Sequence, residues 1–401
     1  MSQSGIFRAL RHREYRLLFS GFVVNQTGFW ISHISLQGLM VKLSNNDPFQ
    51  VGLLFSSLLL PALVLAPVAG VAADRFNRKN ILMLCYLSVA ALAALLAGIA
   101  ATGAFVSALL ALGFAMGATF AFAGPASNAI AANAVDTDDL SSAVALQSAA
   151  NNLTRVVGPL LAAPLVATGR FAVAFGFFSA AALTSAGLVS RMRVGAAPLD
   201  VHPGGVIARI RSGFAHARER PPALAALATA GGLSIFGVAH IAMLPVYAEE
   251  VLGRTELFAW IVATTAFGAM IGALVTGRDA RPTLMKAALR LVAYGVALGV
   301  FASTHSIAVA FAAQLVVGYC YFAVMTGLQT LLQQLVDDSN RGRVMSLFQV
   351  AWGGLTPIGS LTLGAAARFV GVAAALQGAA LGCLAVGVVM ALRARTRDRW
   401  G

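Results

Sequence analysis

Three ionisable side chains, His33, His240 and Arg155, fall in the middle of long apolar segments. An ionisable group at membrane depth is costly, so each one is a candidate for binding a substrate or carrying a proton. An imidazole titrates in the pH range that proton coupling needs. A guanidinium presents a planar fork of donors that matches a carboxylate. These residue types therefore indicate ion and proton binding.

Two sets of residues around these groups repeat at intervals of three or four, which places each set on one face of a helix. The sets are Gln26, Trp30, His33 and Gln37, and then Gln147, Asn151 and Arg155. Further candidates in apolar segments are Asn128, Phe236, Tyr321 and Gln329. Polar faces are costly in lipid, so we expect them to face a bundle interior or a water-filled path. The alternative is that they only tie helices together.

Membrane-spanning helices must position these residues. The chain of 401 residues is 59% hydrophobic and 11% charged, whereas soluble domains are about 25% charged. Apolar runs of roughly 20 residues, which is the length that crosses a bilayer as a helix, recur along the sequence. We predict an all-α membrane protein with twelve transmembrane helices in two pseudo-symmetric six-helix bundles.

The predicted division is an N-terminal bundle at 1–192, a cytoplasmic linker at 193–222 and a C-terminal bundle at 223–401. An internal repeat supports it. Residues 29–34 (FWISHI) align with 236–241 (FGVAHI), and residues 146–154 (LQSAANNLT) align with 348–356 (FQVAWGGLT). Two parallel six-helix repeats with a substrate site between them are one architecture of secondary transporters. The first alignment also pairs His33 with His240.

The net charge of +13 comes from 28 Lys and Arg against 15 Asp and Glu. Cytoplasmic loops of membrane proteins carry the basic residues. With both termini placed in the cytoplasm, the loops on the opposite side keep only Lys42, Arg170, Arg254 and Arg368. The charge therefore predicts membrane topology and no nucleic-acid partner.

A charged turn, "GVAADRFNRKN" at residues 70–80, separates two apolar runs. It resembles the G-x-x-x-D-R-x-x-R-K motif between helices 2 and 3 of the major facilitator superfamily. A degenerate copy, "GRDARPTLMK", lies between predicted helices 8 and 9. "VDDSNRGRVMSLFQ" and "PIGSLTLGA" resemble the enterobactin-exporter-like branch of that superfamily, which includes multidrug exporters. "RVVGPLLAAP" resembles the end of the antiporter motif in helix 5.

The resemblance implies a gate that closes the cytoplasmic side and breaks when the carrier opens inward. The gate residues would be Gly70, Asp74, Arg75, Arg78, Lys79, Arg341 and Arg343. A carboxylate near a helix N-terminus is stabilised by about 0.3–1 kcal/mol. The start of helix 11 would therefore stabilise the Asp74 carboxylate. The alternative for the basic residues is that they only fix topology.

We therefore predict a secondary transporter that works by alternating access, as a proton-coupled antiporter for efflux. The mid-span groups are basic or neutral, which favours a small anionic or amphipathic substrate such as a siderophore. Two alternatives remain within transport, namely a multidrug efflux pump and an importer of a metal-loaded siderophore. A membrane enzyme or receptor is the alternative from another class.

The sequence contains neither H-E-x-x-H nor G-x-S-x-G, and no Walker motif, so we predict no enzyme, no cofactor and no metal site. The expected partners are a small-molecule substrate, protons and membrane lipid, with the protein acting as a monomer. The predicted location is the bacterial inner (cytoplasmic) membrane, as a multi-pass protein with cytoplasmic N- and C-termini.

Overall fold

The computed structural model describes residues 5, 7–103, 105–193, 214–215, 218–279 and 281–397. It leaves out the side chains of residues 66, 67, 73, 74, 338, 339, 396 and 397. The described residues are nearly all helical and contain no strand. Most of the predicted linker at 193–222 lies outside the described residues.

The helices of the first half are α1 (Arg13–Leu43), α2 (Pro48–Arg75), α3 (Arg78–Thr102), α4 (Val106–Asn133), α5 (Leu140–Ala167) and α6 (Phe171–Ser190). Two short 3₁₀ helices, Arg8–Arg11 and Thr137–Asp139, precede α1 and α5. The Asn77 side chain accepts hydrogen bonds from the backbone N–H groups of Lys79 and Asn80, and so caps the start of α3. The charged turn therefore also starts a helix.

The second half begins with α7 (Pro221–Gly232), which continues through a π-helix (Leu233–Gly237) and a 3₁₀ helix (Val238–Met243) into α8 (Leu244–Glu250). The next helices are α9 (Leu257–Thr276), α10 (Leu284–Ser303) and α11 (Ile307–Leu335). Then α12 (Asp338–Gln349) passes through a second π-helix (Val350–Gly354) into α13 (Thr356–Val370), and α14 (Val372–Arg397) follows. Both breaks replace what the sequence predicts as single continuous spans.

Contacts divide the chain into two compact units. Unit 1 comprises residues 1–43 and 60–202, and unit 2 comprises residues 44–59 and 203–401. Unit 1 packs α1 on α5 and α6, and α3 on α4 and α6. Unit 2 packs α9 on α11, α10 on α11 and α14, and α13 on the 3₁₀ segment after α7. The first residues of α2 thus belong to unit 2.

Nine helical segments among the described residues are long and apolar enough to cross a membrane. Three predicted spans do not meet that criterion, namely α1, α5 and the segment formed by α12 and α13. Helices α1 and α5 carry the polar stripes singled out above, and α12 begins with the polar residues of "DSNRGR". These polar residues lower the mean hydropathy of the three segments.

Candidate substrate and proton site

A polar pocket of about 350 Å³ lies in unit 1. Its lining residues are Phe22, Gln26, Asn128, Val144, Gln147, Ser148 and Asn151. Gln26 of α1 donates a hydrogen bond from Nε2 to Oδ1 of Asn151 on α5, at 3.0 Å. Gln147 donates to Oγ of Ser127 on α4, at 3.4 Å. The pocket brings together four of the predicted site residues and offers amide donors and acceptors to a polar ligand.

One turn after Asn151, Arg155 lies against the aromatic face of Trp30. The guanidinium carbon is 5.5 Å from the centre of the ring. A cation in this position contributes about 0.5–2 kcal/mol, more where water is excluded. Arg155 and Trp30 were predicted on separate helical faces, and the structure joins these faces.

A close approach of α1 and α5 produces this stacking. Gly158 packs against Trp30, and a Cβ atom at position 158 would collide with the Trp30 Cβ. Gly158 belongs to the segment that resembles the antiporter motif. Its lack of a side chain lets the two helices meet and sets Arg155 over the ring.

Gly158→Val is therefore expected to lower the free energy of unfolding by about 1–3 kcal/mol, because overpacking a tight contact forces the neighbours apart. The measurement is the thermal unfolding midpoint of detergent-purified protein. Gly98→Val is the matched control, since a Cβ at Gly98 on α3 would meet no atom within 4 Å. Equal midpoints for the two variants would contradict the close contact.

His33 lies in unit 1 and is 9% exposed. Its Nε2 is 2.8 Å from Nε2 of Gln37, one turn further along α1. Phe29 stacks on the imidazole with ring centres 5.5 Å apart, and Trp30 meets it edge-on at 5.7 Å. Three of the four residues of the predicted face of α1, namely Trp30, His33 and Gln37, thus form a row of contacts.

His240 lies in unit 2, on the 3₁₀ segment that follows the first π-helix, and is 1% exposed. Its Nδ1 is 2.7 Å from the carbonyl oxygen of Gly237 and 3.0 Å from the Tyr294 hydroxyl. Its Nε2 is 3.2 Å from Oε1 of Gln314 on α11. Both histidines therefore contact a glutamine, although the partner of His240 comes from a different helix.

Two of the remaining pathway candidates of unit 2, Phe236 and Tyr321, are associated with the two π-helices, and π-bulges are frequent at functional sites. Phe236 lies within the first π-helix and is partly exposed. The Tyr321 hydroxyl accepts a hydrogen bond of 2.7 Å from the indole of Trp352, which lies in the second π-helix. Gln329 is exposed on α11. Tyr294, Thr265 and Trp352 were not predicted as site residues, because no helical repeat links them to the histidines.

The motif residues occupy the turn between α2 and α3. Lys79 donates hydrogen bonds from Nζ to the carbonyl oxygens of Ser190 and Met192, at 2.8 and 2.6 Å, and so caps the end of α6. Arg75 is exposed, and a Cβ at Gly70 would meet no atom within 4 Å in the described residues. The Asp74 side chain lies outside the described residues, and Arg343 contacts Asn340 at 3.3 Å.

Lys286, the counterpart of Lys79 in the degenerate copy of the motif, makes a different contact. Its Nζ lies 2.9 Å from each carboxylate oxygen of Asp279. The hydrogen bond from Lys286, followed by that from the Arg281 backbone N–H, lowers the pKa of Asp279. Lys286 thus stabilises its own turn, whereas Lys79 joins the start of α3 to the end of α6.

An ion cluster holds the segment before α1 against the start of α5. Arg8 and Arg11 lie 3.0 and 2.7 Å from the buried carboxylate of Asp139, and His12 lies 2.8 Å from it. The hydrogen bond from His12, and then the two arginines, lower the pKa of Asp139. His12, Asp136 and Asp139 are close enough to share a cation. The two arginines already neutralise Asp139, so the cluster acts as a structural clamp.

Comparisons with known proteins match nearly the whole chain to transporters. The family described as "Transmembrane secretion effector" matches residues 4–399. An uncharacterized MFS-type transporter, YfiS of Bacillus subtilis, is 25% identical over 383 residues, covering 92% of this chain and 90% of the relative. A staphyloferrin A transporter of Staphylococcus aureus is 25% identical over 369 residues, covering 89% and 90%.

Solved structures show the same fold. A bacterial homolog of the human lysosomal transporter Spinster superposes with a TM-score of 0.73 at 16% identity, covering 96% of this chain and 97% of that one. A POT family transporter in complex with 5-aminolevulinic acid gives 0.78 at 11% identity, covering 96% of each chain. These relatives are transporters, and none of them is an enzyme.

Proposed function

Because the chain belongs to the transmembrane secretion effector family of the major facilitator superfamily, we propose that it exports a small anionic or amphipathic organic molecule in exchange for protons. The observation that carries the proposal is the amide-lined pocket of unit 1 with Arg155 one turn away, stacked on Trp30. Amide groups and a guanidinium suit carboxylate and hydroxyl oxygens. Such a site disfavours a cationic drug.

A siderophore is the substrate class that fits this site best. Carboxylate siderophores present several anionic oxygens, and the Staphylococcus aureus relative is named as a staphyloferrin A transporter. The aromatic residues Phe22, Phe29 and Trp30 would provide apolar walls for the rest of such a molecule.

The proposed mechanism is alternating access of two six-helix halves in the bacterial inner membrane. It adds α1, α5 and the α12–α13 segment to the nine apolar helices, which gives twelve spans with both termini cytoplasmic. The protein would act as a monomer, with protons and lipid as its other partners. The N-terminal half would end near residue 192 and the C-terminal half would begin near 223.

The proposal is tested by whole-cell accumulation of a labelled carboxylate siderophore and of a cationic dye, in cells with and without the protein. Export predicts lower siderophore accumulation in the expressing cells, restored by a protonophore, with no change for the dye. Lower dye accumulation instead would indicate a multidrug pump. Higher accumulation of the metal-loaded siderophore would indicate an importer.

The charged turn at 70–80 would form the cytoplasmic gate. Asp74→Asn removes a charge that a helix N-terminus stabilises by about 0.3–1 kcal/mol, so the balance of inward and outward states should shift roughly two- to fivefold. Transport should fall while folding and insertion remain. The measurement is the labelling rate of cysteines introduced on the two sides of the membrane.

Asp138→Asn serves as the control for Asp74→Asn, because Asp138 is exposed in the short 3₁₀ helix before α5. It should leave both the labelling rates and transport unchanged. Unchanged labelling in Asp74→Asn as well, together with the wild-type transport rate, would remove Asp74 from the gate.

A further inference from the structure

His240 is enclosed by hydrogen-bonding groups from four segments of unit 2. The Gly237 carbonyl and the Tyr294 hydroxyl face its Nδ1, and the Gln314 side chain faces its Nε2. Thr265 on α9 completes the group, with its hydroxyl 2.9 Å from Oε1 of Gln314. Gln314 is 0% exposed. These contacts form a closed network in which every hydrogen has few possible positions.

With Gln314 as placed, a carbonyl oxygen faces each ring nitrogen of His240, at 2.7 Å from Nδ1 and 3.2 Å from Nε2. A carbonyl oxygen only accepts hydrogen bonds, so the charged imidazole, with a hydrogen on both nitrogens, pairs with both oxygens. A neutral ring with its hydrogen on Nε2 could accept a hydrogen bond at Nδ1 from the Tyr294 hydroxyl, but its Nδ1 lone pair would then face the Gly237 oxygen. In this arrangement the Nε2 of Gln314 is buried without a hydrogen-bond partner among the described residues.

Thr265 points to the alternative arrangement. Its hydroxyl is 2.8 Å from the Ile261 carbonyl and 2.9 Å from Oε1 of Gln314, and it has one hydrogen for two acceptors. Half a turn of the Gln314 amide exchanges its oxygen and nitrogen, which are nearly identical in shape. The NH₂ group then donates to both Thr265 and Nε2 of His240, while Thr265 donates to Ile261.

In this second arrangement His240 is neutral, and its Nδ1–H donates to the Gly237 carbonyl. Both hydrogens of the Gln314 amide are used. A neutral imidazole with its hydrogen on Nε2 fits less well, because the Nδ1 lone pair would face the Gly237 oxygen at 2.7 Å. Each orientation of the amide therefore matches one protonation state of the ring.

We propose that His240 is a buried proton-binding site whose protonation is coupled to the orientation of the Gln314 amide. The neutral state has the NH₂ group turned toward His240, and the protonated state has the carbonyl oxygen turned toward it. Gln314 is a positioning residue, since it acts through the imidazole. The inference deepens the proposed function and rests on it for the use of the proton.

No carboxylate contacts the ring among the described residues of unit 2. Tyr294 contacts the ring, and the titratable groups that interact with Tyr294 are Tyr321, Cys320 and Cys383. All are neutral in their protonated forms, so the charged imidazole must be stabilised by the Gly237 and Gln314 oxygens. Removing the Gln314 oxygen should therefore remove the protonated state from the accessible pH range.

The test is nitrogen-15 NMR of histidine-labelled, full-length protein in lipid nanodiscs, with the His240 signals identified by their loss in His240→Gln. Ring nitrogen shifts distinguish the two neutral forms and the charged form. We expect neutral His240 to carry its hydrogen on Nδ1 and to take up a second proton as the pH is lowered. Gln314→Leu should lose the second protonation.

Thr265→Val is a second variant for the case in which Gln314→Leu misfolds. It removes the hydroxyl oxygen that accepts a hydrogen bond from the turned Gln314 amide. The fraction of neutral His240 that carries its hydrogen on Nε2 should therefore rise. Gln333→Leu, exposed on the same helix, should titrate as the wild type does. Neutral His240 with its hydrogen on Nε2 in the wild type would overturn the proposal. The proposal would also be overturned if wild-type His240 took up no second proton, or if the second protonation of His240 were unchanged in Gln314→Leu.

The readout separates this inference from the proposed function. If the NMR results are as expected but a proton gradient does not change transport by the reconstituted protein, the proton-binding site is supported and proton-coupled transport is not. If the proton gradient drives transport but the protonation of His240 does not depend on Gln314, proton-coupled transport is supported and the link between His240 and the Gln314 amide is not.

Discussion

Arg155→Lys is expected to lower siderophore transport by a factor of about 10 to 100. A hydrogen bond to a charged group contributes about 1.5–3 kcal/mol, and 1.4 kcal/mol corresponds to a tenfold change. Lysine keeps the positive charge but lacks the planar fork that binds a carboxylate through two donors. It also stacks less well on Trp30, which lies 5.5 Å from the guanidinium. The measurement is initial uptake into everted membrane vesicles.

Two further variants make the Arg155 result specific. Arg155→Ala should lose at least as much transport as Arg155→Lys, because it removes the charge as well. Arg170→Ala, exposed at the start of α6, should keep the wild-type rate. Full transport by Arg155→Ala would show that the arginine is structural, and the argument for an anionic substrate would lose its main support.

Replacing His240 with glutamine is expected to abolish transport against a substrate gradient while leaving downhill flux. An imidazole can take up a proton at moderate pH, so the rate of wild-type exchange should change with pH. Glutamine cannot take up a proton, so the rate of the variant should no longer depend on pH. His33→Gln should have the same effect if both repeats contribute, since His33 also contacts a glutamine, at 2.8 Å.

His305→Gln is the matched control, because His305 is exposed in the turn before α11. The double variant of His33 and His240 tests whether these histidines carry the transported proton. An unchanged pH profile in that variant would mean that the two histidines only pack. The proton carrier would then be sought at Glu249, Glu250 or Asp74, of which Glu250 accepts a hydrogen bond of 2.8 Å from Asn46.

Helical periodicity anticipated which residues of unit 1 share a face. Gln26 and Asn151 were assigned to separate faces of two helices, and the structure joins them by a hydrogen bond of 3.0 Å. Spacing predicts a face reliably because the helical repeat is fixed. It does not predict which faces meet, because that depends on small residues such as Gly158 on the partner helix.

The network around His240 could not be predicted in the same way. The alignment of residues 29–34 with 236–241 suggests matching environments for His33 and His240, yet only His33 has its glutamine on the same helix. The π-helix at Leu233–Gly237 breaks the regular register before His240. His240 therefore meets Gln314 and Tyr294 from two other helices, and Thr265 of a third helix reaches it only through Gln314. Sequence spacing carries no information about contacts at such separations.

The charged turn shows how a motif combines local and functional roles. Its resemblance predicted a gate, whereas the structure shows what Lys79 and Asn77 do locally, namely cap α6 and α3. Helix ends leave backbone groups unpaired, so such caps are needed wherever helices end near a turn. The gate itself stays a prediction for Asp74, Arg341 and Arg343.

The central claim is that the protein couples transport of an anionic molecule to protons, and reconstituted wild-type protein tests it most directly. Liposomes containing the protein receive a labelled carboxylate siderophore at equal concentration inside and outside, and a proton gradient is then imposed. Proton exchange predicts that the siderophore moves against the developing substrate gradient, in the direction opposite to proton flow, and that a protonophore stops it. Equal siderophore concentrations maintained on both sides under the imposed gradient would contradict the claim.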